Sequence, residues 1–147
     1  MITVLDCRSN RSDVTLFHVL RKQWQLPVRV APYPTALFKR GLSPKGSNIN
    51  TLIRLAPIAS LILVDTKVHI PECPFHLIGL ADRDKGSAVL SMTGEKRYLL
   101  SAGLQLVGLM RGLTHCDNAR CAMWFASEIS DIAPPVVCKG CRDIIHG

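Results

Sequence analysis

Four of the six cysteines in this chain are arranged for metal chemistry. Cys116 and Cys121 enclose four residues, Cys138 and Cys141 enclose two, and 16 residues separate the pairs. Two closely spaced pairs, each on a tight turn, can bring four sulfurs to one tetrahedral ion. Four thiolates make a structural zinc set with no open coordination position. One zinc per chain is therefore expected, stapling a segment (116–141) that has few apolar residues of its own. Two disulfides would satisfy the same pairs. The opening Met-Ile-Thr-Val-Leu-Asp shows no basic leader and no cleavage-type site, so a cytoplasmic, reducing setting is expected, which favours zinc. A redox C-x-x-C at Cys138 and Cys141 would lack the preceding strand of a thioredoxin-like site. Cys7 and Cys73 read as buried thiols acting as small apolar residues.

These cysteines close a chain whose earlier part alternates strands and helices. Residues 1–7 read as a first strand. Ser12 or Asp13 is placed to cap a helix reaching about Gln25, with Val14, Phe17, His18, Leu20 and Arg21 at helical intervals and Pro27 beyond its end. Residues 28–31 form a short strand, and 32–34 and 41–46 are loops. Ser47 or Asn48 starts a second helix towards Leu55, ended by Pro57. The apolar run 59–64 predicts a buried strand. Residues 75–81 and 87–91 are further strands, joined through the charged turn 82–86. Helical spacing returns over 95–113, with Gly112 at the C-terminal end, and a last helical turn is expected over 138–145. The fold class is α/β (α+β): helices packed on one mixed, twisted sheet, as a single domain over 1–147.

Composition narrows the function classes. Of 147 residues, 48% are hydrophobic and 20% charged, a globular balance. No apolar run reaches the roughly 18 residues of a membrane span. The formal charge is +7, but the basic residues are scattered from Arg8 to Arg142 in short pairs such as Lys39-Arg40 and Lys96-Arg97. No aromatic residues interleave them, so a solvated basic surface is expected rather than a nucleic-acid partner.

The stretch from Gly112 to Met123, with His115, Cys116 and Cys121 between, followed by Cys138-Lys139-Gly140-Cys141, resembles the signature of the archaemetzincins, a family of zinc peptidases. That signature reads H-E-x-x-H-x-x-G-x-x-H-C, then C-x-M, then a late C-x-x-C. The segment Leu77, Ile78, Gly79, Leu80 and Ala81 is similar to the family's edge strand, which lies beside the active-site helix. The resemblance implies a zincin-like, metzincin-like fold with the four-cysteine zinc site at its C-terminal end. It also implies a peptide-binding cleft, floored by Leu106 and Leu109 and edged by that strand.

The departures fall on the chemistry. Gly112, His115 and Met123 stand at family positions, as remnants of the catalytic site. Gln105 and Leu109 stand where the first two zinc histidines would be, and Leu106 stands in place of the general-base glutamate. Histidines four apart on a helix hold the metal, and the glutamate takes the proton from metal-bound water. Leucine offers neither a lone pair nor a base, and His115 alone falls short of the three protein ligands of a catalytic zinc. The expectation is a non-catalytic pseudopeptidase with one structural zinc and no catalytic one, whose partner is an extended peptide. The alternatives are an active zinc metallopeptidase with replacement ligands from His69, His76 or elsewhere, and a basic structural or nucleic-acid-binding zinc protein. Trp124 and Phe125 read as core.

Overall fold

A computed structural model describes residues 1–32, 47–56, 58–70, 73–125 and 132–147, with backbone alone for 32 and 73–77. The expected loops at 33–34 and 41–46, Pro57, and the side chains of Cys73 and His76 lie outside the described residues.

The alternation read from the sequence produces a doubly wound sheet. Strand β1 (Ile2–Asp6) leads through helix α1 (Thr15–Trp24) to β2 (Val28–Pro32). The short β3 (Ser47–Asn48) runs into α2 (Ile49–Leu55), then β4 (Leu61–Val64) and β5 (Val68–Ile70). Strands β6 (Cys73–Leu77), β7 (Gly79–Asp82) and β8 (Ser87–Ser91) precede α3 (Lys96–Met110) and α4 (Lys139–His146). The main sheet has the order β2-β1-β4-β8-β7. Its first four strands are parallel, and β7 pairs antiparallel with β8 at the edge.

Side chains alternate across a strand, so each strand feeds two cores. Ile2, Val4, Leu61, Leu63, Ala88 and Leu90 pack on one face with Leu16, Leu20 and Trp24 of α1 and Leu104 and Val107 of α3. Leu5, Ile62, Val64 and Val89 pack on the other with Ile49, Leu52 and Ile53 of α2. Cys7 joins this second core at 1% exposure, as expected of a small apolar thiol, and burial pushes its pKa up to about 12. With both faces covered, β4 reads Leu-Ile-Leu-Val without alternation.

Two sequence expectations need correction. The stretch 75–81 is not one strand: the chain changes sheet at Ile78, so that β6 pairs with β5 and β7 pairs with β8. Consequently there are two sheets, the second a three-stranded β3-β5-β6. A continuous apolar run shows no such switch, and the three-residue β5 is too short to carry a periodic signal. Helix caps agree more closely. Asn48 Oδ1 accepts the Asn50 and Thr51 N–H groups at 2.9 and 3.3 Å. Asp13 Oδ1 accepts the Thr15 N–H at 3.0 Å, one residue ahead of the N-cap Val14. Gly112 takes φ +89 after α3, the left-handed conformation that suits a glycine. Among the described residues no helix is long and apolar enough to cross a membrane.

Glycines set how closely α3 is approached. A Cβ on Gly108 would overlap the sulfur of Met123, which is fully buried, and come within 3.1 Å of the Trp24 ring. Trp24 is held there by its indole N–H, which donates to Leu104 O at 3.2 Å. Alanine is the better helix former by about 1 kcal/mol. We nevertheless expect Gly108→Ala to lower stability by about 1–3 kcal/mol through overpacking, measured by urea unfolding.

Candidate metal centre and the adjoining cleft

Among the described residues between α3 and α4 there is no further helix or strand, and the cysteines are aimed by turns. Cys121 N–H donates to Asn118 O at 2.9 Å, and Cys116 N–H donates to Met123 O at 2.9 Å. Cys138 is the N-cap of α4 and Cys141 lies in its first turn. The four sulfurs lie within 4.8 Å of one another. Cys116 and Cys138 are 3.8 Å apart, and Cys121 and Cys141 are 3.9 Å apart. A Zn–S bond of about 2.3 Å places tetrahedral sulfurs about 3.8 Å from each other, so the set fits zinc.

Backbone amides converge on the same sulfurs. Asn118 N–H donates to Cys116 Sγ at 3.4 Å, and Cys121 Sγ accepts Met123 N–H at 3.5 Å and Cys138 N–H at 3.4 Å. Burial raises the Cys121 and Cys141 thiols, because a lone thiolate is costly there. For Cys138 burial is outweighed, chiefly by the Cys141 backbone N–H, and the pKa falls. A dication supplies the charge that lets all four deprotonate.

The remnant positions surround this centre. Met123 is fully buried beneath Gly108, as core packing. His115 is exposed, its ring 4.9 Å from that of Phe125. Among the described residues the four cysteines are the one group of three or more His, Cys, Asp and Glu placed to hold a metal, and His115 joins no such group. His18 is exposed on α1, His69 lies on β5, and His146 Nε2 is 2.7 Å from Trp24 O.

On α3, Gln105 and Leu106 face a cavity of about 150 Å³. Ile78 and Gly79 at the start of β7 form one side, and Trp124 and Phe125 another. Gln105 Nε2 donates to Trp124 O at 3.2 Å, and Leu106 is 6% exposed, with its Cδ1 2.8 Å from where a Gly79 Cβ would sit. Leu109, expected as cleft floor, instead packs half-buried on the main core and does not line the cavity. It lies nearly a turn beyond Leu106, past the end of the opening. Of the expected edge segment, Leu77 belongs to β6, whereas Gly79, Leu80 and Ala81 lie on β7, with Leu80 37% exposed. Trp124 and Phe125 are not core: Trp124 is half-buried and Phe125 is 62% exposed. They follow the Cys121 turn outside any helix, and hydrophobicity alone does not separate a cleft wall from a core. Their position just past Cys121 and Met123 was the signal available.

No family model matches the sequence, and no curated protein does. Solved structures do match. An archaemetzincin from Archaeoglobus fulgidus, crystallised with malonate, is 21% identical with a TM-score of 0.76, over 97% of this chain and 98% of that one. A zinc-dependent peptidase from Methanocorpusculum labreanum is 18% identical at 0.70, over 99% and 100%. The archaemetzincin from Methanopyrus kandleri is 15% identical at 0.64, over 99% and 93%. The chain thus has the fold of these proteins, in agreement with the resemblance in its sequence. At such identities the likeness shows the fold alone.

Elemental analysis of untagged protein should give about one zinc per chain, with Cys121→Ser losing the metal and at least ~3 kcal/mol of stability in thermal unfolding.

Proposed function

We propose that this chain is an archaemetzincin-like pseudopeptidase: a zinc-stapled scaffold that binds an extended peptide between β7 and α3 without cleaving it. The observation that carries this reading is Leu106, at the family's general-base position, packed against Gly79 of β7 in the wall of the cavity. A leucine there can shape a pocket but cannot take a proton from water. Gln105 supports the same reading, because its amide N–H is engaged by Trp124 O.

Strand β7 ends the main sheet, which leaves a row of main-chain groups for an added strand. Such pairing supplies affinity, and a side-chain pocket supplies selectivity. The cavity has room for one medium-sized apolar side chain, so the peptide carries an aliphatic or small aromatic residue facing α3. The four-cysteine centre takes no part in the recognition; it holds Trp124 and Phe125 in place.

Fluorescence anisotropy on a library of unstructured peptides tests the reading. Binding should depend on one apolar residue and leave the peptide intact. Ala102→Phe, which fills the cavity from α3, should weaken it at least about tenfold, or 1.4 kcal/mol, with the fold retained. Chelator-sensitive cleavage of the bound peptide would overturn it. If the scaffold keeps the family's geometry, Gln105→His/Leu109→His together should raise the zinc content from about one to about two per chain, with His115 as third ligand, and neither change should do so alone.

A further inference from the structure

The four sulfurs differ in what they meet. Cys121 is fully buried and accepts two backbone N–H groups, and Cys141 is 6% exposed. Cys116 and Cys138 are half-buried. Both line an opening of about 380 Å³ beside the centre, walled by Leu113, His115 and Ile144; Cys141 borders it too, but from its nearly buried position. An oxidant therefore reaches two thiolates directly, and these two are already 3.8 Å apart across the cluster. They come from opposite pairs, one before and one after the Pro134-Pro135 span.

We propose that Cys116 and Cys138 form a peroxide-sensitive pair, whose oxidation to a disulfide releases the zinc. The inference rests on the zinc reading of the cluster and is independent of peptide binding. Cys138 thiolate attacks hydrogen peroxide, breaking the O–O bond to give a sulfenic acid and hydroxide. Cys116 thiolate then attacks that sulfur, forming the S–S bond and expelling a second hydroxide. Each sulfur gives up one electron, and the peroxide takes both. The two remaining thiolates, Cys121 and Cys141, cannot complete a tetrahedral zinc site, and the ion leaves. The new bond joins the same two segments that the metal joined, so release need not unfold the tail. Thiol reductant and zinc together reverse the step.

The experiment uses the full chain carrying Cys7→Ser and Cys73→Ser, so that only cluster thiols report. Zinc content is measured first; hydrogen peroxide is then added with a metallochromic indicator present. Free thiols are alkylated and the protein is cut with trypsin and an endoproteinase specific for Glu, which places the four cysteines on separate peptides. The expected result is full zinc release, a Cys116–Cys138 link, and alkylated Cys121 and Cys141. A Cys116→His variant keeps a Cys₃His ligand set but lacks the attacking thiol; it should release zinc at least about tenfold more slowly. Zinc retained in excess peroxide, a link between any other pair, or unchanged release from Cys116→His would overturn the inference alone. Protein with no zinc at the outset would overturn the metal reading and this inference with it.

Discussion

Everything beyond α3 depends on four sulfurs meeting at one point. Residues 112–125 have no helix or strand of their own, and α4 is eight residues long, too short to be stable alone. Yet Leu113, Cys121, Ala122, Met123, Val137 and Cys141 all belong to the main core. Ordering so irregular a stretch costs chain entropy that its few backbone bonds do not offset. Zinc held by the four cysteines would supply the missing free energy and tie down the turn from which Met123 enters beneath Gly108. In this way a peripheral cluster controls packing inside the domain.

Gln105, Leu106 and Leu109 on α3 contribute in a different way. A working zincin helix must keep two histidines and a glutamate poised at an open metal, which costs stability whenever the metal is absent. Here Leu106 lies 6% exposed against β7, and burial of such a side chain contributes about 1.5–3 kcal/mol. Leu109 adds partial burial against the same core. Leu106 thus makes a stabilising contact between α3 and the edge strand. Trp124 and Phe125, which line the other side of the cavity, follow directly from the cysteine turn.

The sequence disclosed these parts unequally. The cluster was legible because metal geometry restricts both residue type and spacing, and Cys116, Cys121, Cys138 and Cys141 meet both restrictions. The strands of the main sheet and α3 were legible from periodicity, and Asn48 from its capping chemistry. The break at Ile78 was not, because an apolar residue crossing between two sheets looks like one continuing in either. Phe125 was misread for a related reason. Hydrophobicity reports the tendency to leave water, and a residue lining a cleft meets that tendency with a ring contact, here to His115, instead of full burial.

The topology offers a second opening besides the cleft at the sheet edge. Open parallel sheets tend to bind ligands where the strand order reverses, beyond the carboxyl ends of the central strands. In this fold that point lies between β1 and β4, at Asp6, Arg8 and Asp65. Arg8 pairs with Asp6 in bidentate fashion at 2.8 and 2.9 Å and donates its remaining Nη1 to Asp13 O at 3.0 Å, with both side chains almost fully buried. Asp65 Oδ2 accepts the Ser9 N–H at 2.7 Å. The Asp6–Arg8 pair is thereby taken up in closing the β1 loop, while Asp13, Asp65 and Lys96 line an opening of about 310 Å³ beside it. A separate opening lies on the far side of the sheet, where antiparallel β7 forms the edge of the main sheet among the described residues, beside α3.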